Sequence, residues 1–255
     1  MMRFASLGSG SEGNALVVEV GATRVMLDCG FGLADSIFRL ERLGVAPEQI
    51  TAIVITHEHS DHIGGAARFS RKYRTPIWLT HGTLSWLAAD VRSDLLNGID
   101  SHDEFAIQDI HVQPFPVPHD AREPAQFVFS DGARRLGVLT DLGCSTPHVE
   151  ASLTGVDALV LECNHDRDLL MNGAYPMNLK QRVAGRYGHL DNEAAADLLG
   201  RIDHTRLQHL LAAHLSKQNN RPELAKAALA GVLDCEMDWV GIADQALGFA
   251  WRELA

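Results

Sequence analysis

Residues 56 to 65 read THEHSDHIGG, which sets three imidazoles, His57, His59 and His62, and the carboxylate of Asp61 within six positions. Side chains two apart in an extended chain point the same way, so His57 and His59 can serve one ion. Asp61 and His62 leave the following turn at another angle and suit a second ion. Imidazole and carboxylate donors match Zn(II), Mn(II) or Fe(II), and the lack of thiolates disfavours a purely structural zinc. A charged loop with incidental histidines is the plain alternative; so dense a run of an uncommon residue type beside a carboxylate argues against it.

Other chemistry-bearing residues are spread downstream: His119 in PVPHD, Asp141 in LTDLG, Glu162 in LVLECNHD, His189 in GHLDN and His214 in LAAHLS. Singly, His119, Asp141 and His214 read as solvated or structural. Their shared position at strand ends reverses that weighting, because strand ends on one edge of a sandwich converge. Glu162 closes a buried strand, and His189 precedes a helix opening near Asn192. A carboxylate beside an imidazole raises its pKa and fixes its orientation, keeping a proton ready. Either residue alone reads equally as a charged strand end or a helix-capping neighbour. Candidates for substrate contact are His165, next to Asp166 just past Glu162, then Lys180, Arg182 and Arg186 on the segment before His189, and Asn220. Basic residues at helical spacing more often form a solvated face. Ser9, Ser11 and Asn14 in GSGSEGN offer either an anion-binding nest or a flexible turn, with the turn as default. Trp78 and Trp86 read as core, and His81, His102, His111, His148, His204 and His209 have no motif context.

The HEHSDH string resembles the H-x-H-x-D-H signature of the metallo-β-lactamase superfamily. His119, Asp141 and His214 resemble its later motifs in order and position, and Asp28 in MLDCG resembles its early structural aspartate. The resemblance implies one divalent ion on His57, His59 and His119, a second on Asp61, His62 and His214, and Asp141 bridging. Two such ions outweigh two aspartates and a bridging hydroxide, which leaves a net positive pocket suited to an anionic substrate. The ions would lower the pKa of a bridging water towards neutrality and polarise the attacked centre. For a phosphodiester the remaining need is a proton for the departing alkoxide. Glu162 and His189 resemble the pair that tRNase Z and related phosphodiesterases of this superfamily use for it, so Asp61, Glu162 and His189 are the catalytic candidates.

Finer strings, GSGSEGN, ECNHD, GAYPMNLKQRVAGRYGHLDN and HLSKQNNRPELA, look like the YycJ/WalJ group of single-domain members, implicated as 5′→3′ exonucleases on double-stranded DNA. Cys163 and Asp191 depart from that pattern, standing where serines are expected. Only 22 residues separate His119 from Asp141 and 21 separate Asp141 from Glu162, leaving no room for a β-CASP cap or the tRNA-gripping arm of tRNase Z. The resemblance thus implies a dinuclear metal-dependent hydrolase with DNA as substrate. The alternatives are a thioesterase or acyl hydrolase of the glyoxalase II type on the same fold, and a binding module without turnover.

The elements that must position these residues alternate between strand and helix. Arg3 to Leu7, Ala15 to Val20 and Arg24 to Leu27 read as strands, the last two forming a hairpin at Gly21-Ala22. Ile37, Leu40 and Leu43 mark one helical face stopped by Gly44, and ITAIVIT is a buried strand delivering the chain into the histidine cluster. A helix is expected from His62 to Tyr73. Strands are expected at Pro76 to Thr80, Ile110 to Val117, Phe127 to Phe129, Arg135 to Thr140, Asp157 to Leu161 and Leu207 to Ala213, then in the closing LGFAW. Helices are expected near Gly82 to Ala89, at Leu179 to Tyr187, Asn192 to Ile202 and Pro222 to Leu233. Asp131-Gly132 marks a hairpin. The expected fold is α/β, layered: an αββα sandwich of mostly antiparallel sheets, the metallo-β-lactamase fold, with the metals at one edge.

The 255 residues are 46% hydrophobic and 22% charged, as expected of one globular domain spanning 1–255. A net charge of −11 excludes a broadly basic nucleic-acid coat but not a local cationic cleft. The four scattered cysteines point to neither a disulfide scaffold nor a zinc ribbon, and a reduced cytoplasmic setting is expected. No membrane association is expected, because no apolar run approaches the ~18 residues of a span.

Overall fold

The computed structural model describes residues 1–255. Its first half runs β1 (Met2–Gly8), β2 (Ala15–Val20), β3 (Thr23–Leu27), α1 (Leu33–Arg42), β4 (Ala52–Val54), α2 (Ser60–Ile63), α3 (Ala66–Tyr73), β5 (Ile77–Thr80), α4 (His81–Leu87) and β6 (Leu96–Ile99). The second half runs β7 (Phe105–Ile107), β8 (Ile110–Pro116), β9 (Ala125–Ser130), β10 (Arg135–Leu139), α5 (Pro147–Leu153), β11 (Ala158–Glu162), α6 (Arg167–Asn172), α7 (Met177–Val183), α8 (Asn192–Arg201), β12 (His209–Ala213), α9 (Pro222–Leu233), β13 (Gly241–Ile242) and β14 (Phe249–Leu254).

The strands form two seven-stranded sheets, in the orders β14-β1-β2-β3-β4-β5-β6 and β13-β12-β11-β10-β9-β8-β7. In each, four strands pair antiparallel and three more are added in parallel through helical crossovers. The sheets are therefore mixed rather than mostly antiparallel. The reason lies in β4, β11 and β12, short apolar runs buried on both faces, which is the pattern of parallel strands under helices. Both halves follow this plan although no repeat shows in the sequence, since packing constrains the pattern of strands rather than residue identity.

Strand alternation divides the core. In β4, Ala52 and Val54 face the space between the sheets, where they meet Phe127, Val138 and Val160, while Ile53 faces the helical layer with Leu40 and Phe69. In β11, Leu159 and Leu161 pack under α5, α8 and α9, against Leu153, Leu198 and Leu229. Helix, sheet, sheet, helix is the resulting order. No helix is long and apolar enough to cross a membrane.

Three expectations change. The helix after the histidine cluster is broken into α2 and α3 at Gly64-Gly65, because Gly65 donates its N–H to Cys29 O at 2.7 Å and a Cβ there would lie 1.9 Å from Phe31 O. Helix α7 stops at Val183 rather than Tyr187, as His189 N turns back onto Val183 O. Trp86 is 58% exposed and is not core, whereas Trp78 stacks on Phe105 beside the inter-sheet core.

Gly30 fixes the approach of α2 to the β3 end: a Cβ there would fall 1.7 Å from Asp61 O and 2.9 Å from Asn14 N. We expect Gly30→Ala to cost about 1–3 kcal/mol, as overpacking does, and to displace Asp61. A lowered urea midpoint together with reduced metal retention checks this; an unchanged midpoint would refute it.

Candidate active site

Strand ends build the site. The chain leaves β4 and reaches His57 and His59 before α2 supplies Asp61 and His62; His119 follows β8, Asp141 follows β10, Glu162 is the last residue of β11, and His214 follows β12. His189 lies between α7 and α8. Four sets of side chains each bring their ligand atoms within 4.8 Å of one another: His57, His59 and His119; Asp61, His62 and His214; His57, His62 and Asp141; and Asp141, Glu162, His189 and His214. Asp141 stands between the first two sets, its Oδ2 2.9 Å from His62 Nε2 and its Oδ1 3.8 Å from His119 Nε2 and 3.4 Å from His214 Nδ1.

Hydrogen bonds on the far side of each ring decide which nitrogen faces inward. His62 Nδ1 donates to Asp28 Oδ2 at 2.8 Å, His119 Nδ1 to Gly188 O at 3.0 Å and His214 Nδ1 to Glu162 Oε1 at 3.1 Å. Carboxylate and carbonyl partners only accept, so in all three rings Nδ1 carries a proton, which turns Nε2 towards the interior, where a bound cation would take it up. The Thr56 hydroxyl donates to Asp28, so it accepts from His57 Nδ1 at 2.9 Å, which leaves His57 Nε2 bare too. His57 Nε2 and Asp141 Oδ2 are buried without any hydrogen-bond partner. Buried polar atoms are seldom left bare, and two acceptor atoms facing the same interior are what divalent cations satisfy. The donor set fits such ions.

Electrostatics of the chain alone divide the rings: against burial, Asp141 and Asp28 raise His62 well above its ordinary pKa, and Asp141, Asp61 and Glu162 raise His214 to about 9, so the interior already concentrates negative charge around them. Burial, with His62 nearby, holds the His57 imidazole well below its ordinary pKa and keeps it neutral. Burial would also lower His189, but Glu162 and Asp141 outweigh it and push the ring up to about 10. His189 Nδ1 lies 2.8 Å from Glu162 Oε1 and 3.1 Å from Asp141 Oδ1. Glu162 is fully buried; its Oε1 meets His189 and His214, and its Oε2 accepts from Leu142 N at 2.9 Å and Leu190 N at 3.1 Å. Asp28 and His214 both hold positive φ, 59° and 54°, a strained conformation for non-glycine residues that clusters at functional sites.

A cleft of roughly 320 Å³ opens over the cluster, lined by Ser11, His59, Asp61, Asp141, Arg182, His189 and His214 among others. Of the expected substrate contacts, only Arg182 reaches it. Lys180 is buried and donates to Met171 O at 2.7 Å, tying α7 to α6, so its ammonium is not free for a phosphate. Asn220 is buried as well: its Nδ2 donates to Cys163 O and Asn192 Oδ1, and its Oδ1 accepts from Asn192 Nδ2 and Arg221 N, which makes it a structural tie. His165 is 1% exposed, outside the cleft wall, with Nε2 unpartnered.

Ser9 and Asn14 are not in a flexible turn. Both are buried; Ser9 Oγ accepts from His214 N, and Asn14 Nδ2 lies 3.1 Å from His62 Nε2 and 3.3 Å from Asp61 O. Ser11 alone of the three faces the cleft. Asp191 accepts from Ala194 N at 2.7 Å as the N-cap of α8, a task serine and aspartate perform about equally. Cys163 is buried in the helical-layer core, and all four cysteines are unpaired. Asp120, beside His119, is a cleft-rim residue that spacing did not reveal; its partner Arg182 lies 62 positions away.

Because Asp28 orients His62, Asp28→Ala is expected to weaken divalent-metal affinity by about 10- to 100-fold, the usual cost of losing such a support. Chelator competition measures it, and wild-type affinity would show the bond to be dispensable.

Residues 23–214 match the Beta-lactamase superfamily domain. The chain is 33% identical over 238 residues to exodeoxyribonuclease YycJ of Bacillus anthracis, covering 91% of this chain and 89% of that protein. It is 32% identical to exodeoxyribonuclease WalJ of Streptococcus pneumoniae, covering 91% and 88%. The metallo-β-lactamase fold protein YhfI of Bacillus subtilis superposes with a TM-score of 0.77 at 16% identity, over 99% of this chain and all of that one. By sequence match and by fold, this chain belongs to the β-lactamase superfamily.

Proposed function

We propose that the chain, working as a single domain over 1–255, is a dinuclear metal-dependent phosphodiesterase that digests DNA as a 5′→3′ exonuclease. The observation that carries this reading is the 2.8 Å contact between Glu162 and His189 at the wall of the metal cleft. The exodeoxyribonuclease relatives support the substrate class.

In this reading His57, His59 and His119 hold one ion, Asp61, His62 and His214 the other, and Asp141 serves both. When bound, Zn, Mn or Fe ions supply Lewis acidity and make a coordinated water acidic enough to act as nucleophile near neutral pH. Everything else falls to the side chains. With Nδ1 engaged by Glu162, His189 presents Nε2 to the cleft, from which a proton would pass to the departing alkoxide. Glu162 acts by position, since the same oxygen also orients His214. Arg182 offers a cation for a phosphate oxygen. A reduced cytoplasmic setting suits the four unpaired cysteines.

Metal-loaded protein, tested with Mn(II) and with Zn(II), is expected to digest linear duplex DNA from the 5′ end, followed with labels at each terminus. Brisk thioester hydrolysis with DNA left intact would overturn the reading. His189→Ala is expected to slow DNA turnover by about 10²- to 10⁴-fold, the range for a positioned acid, while two metals per chain are retained by elemental analysis. Loss of metal in that variant would instead make His189 a ligand.

A further inference from the structure

Arg182 sits in the last turn of α7, and its Nε donates to Asp120 Oδ2 at 2.6 Å. The two come from different walls of the cleft, since Asp120 lies in the loop after β8. The other oxygen of Asp120 is 3.6 Å from His119 Nε2 and 3.9 Å from His59 Nε2, so the carboxylate stands at the rim of the first histidine set. The Arg182 side chain is 62% exposed. Ion pairs this exposed add about 0–1 kcal/mol, so stability does not account for the contact.

Geometry does. A guanidinium carries its donors in a rigid plane. Fixing Nε on one carboxylate oxygen sets that plane and leaves the terminal N–H groups free to bind an anion. Arg182 is the one lysine or arginine lining the cleft. Its helix is itself fastened by the bond from Lys180 to Met171 O, so both the backbone and the tip of the side chain are held.

We infer that Asp120 is a positioning residue that aims the Arg182 guanidinium across the mouth of the metal cleft to receive a phosphate of the substrate strand. This rests on the phosphodiesterase reading. It makes a prediction opposite in sign to simple electrostatics. A carboxylate beside a polyanion repels it, so by charge alone removal of Asp120 would tighten DNA binding. Positioning requires that removal weaken it.

The test compares the metal-loaded wild type with Asp120→Ala, Asp120→Asn, Arg182→Ala and the double alanine variant on end-labelled duplex DNA over a range of salt. Asp120→Ala is expected to raise KM about tenfold, in line with loss of one charge-assisted contact, with kcat and metal content unchanged. The plot of log KM against log salt should become shallower by about one phosphate contact, as it should for Arg182→Ala. Asp120→Asn keeps an acceptor oxygen and is expected to restore most of the wild-type KM. In the Arg182→Ala background, Asp120→Ala should cause no further loss. A lowered KM in Asp120→Ala, independent losses in the double variant, or loss of metal would each overturn the inference. Wild-type enzyme that leaves DNA uncut would remove the phosphodiesterase reading itself; DNA cut normally, with independent losses, removes only the role of Asp120.

Discussion

Glu162 is an ionisable side chain with no exposed surface, and burying a carboxylate is costly unless donors surround it. Here four do: two imidazoles and the backbone N–H groups of Leu142 and Leu190. They come from the loop after β10, the segment entering α8 and the end of β12, so one charge draws three separate stretches of chain onto the end of β11. Glu162 stays ionised despite its burial because His189 favours the charged form. The arrangement is reciprocal. The carboxylate keeps His189 protonated and turns His214 so that its other nitrogen faces Asp61, 3.4 Å away. Removing that charge would leave one buried and one half-buried imidazole misdirected and two backbone amides bare.

Asp28 repeats the device in the other sheet. It binds Thr56 through backbone and hydroxyl, and His62 through Nδ1, fixing the segment that carries the histidine cluster. Each sheet thus contributes one buried carboxylate behind its own inner ligands, in keeping with their shared strand plan. Parallel crossovers matter in this context because they bring β3, β4, β10, β11 and β12 to a common edge. The site lies where those ends meet, and the rigidity of the strands passes directly to the side chains.

How much of this the sequence disclosed depended on distance along the chain. His57, His59, Asp61 and His62 are legible because four donors sit within six residues, and the strand ahead of them is plain from its apolar run. The layered fold follows from strand and helix patterning, though the parallel pairing does not, since register between distant segments leaves little local trace. Lys180 and Arg182 look alike in sequence, two residues apart on one basic segment. Their different fates depend on what stands opposite, Met171 O for one and Asp120 for the other. The structural role of Asn220 is hidden for the same reason, its partners Cys163 and Asn192 lying 57 and 28 positions away. Asn14 reads as part of a turn because glycine-rich strings suggest turns, and nothing local says that this one closes under Asp61.

For an acidic chain, the proposed action on DNA entails a conflict of charge. At −11 overall, the surface repels a duplex at long range, and screening at physiological salt confines each contact to about 8 Å. Within the cleft, attraction would come from Arg182 and from the divalent ions that the donor set fits. A protein that gripped the duplex along its length would need basic residues along a groove; this cleft presents one arginine. A single cation beside the ligand set suits engagement at one place. One arginine at the mouth of an otherwise acidic chain's cleft thus agrees with the exonuclease action proposed above.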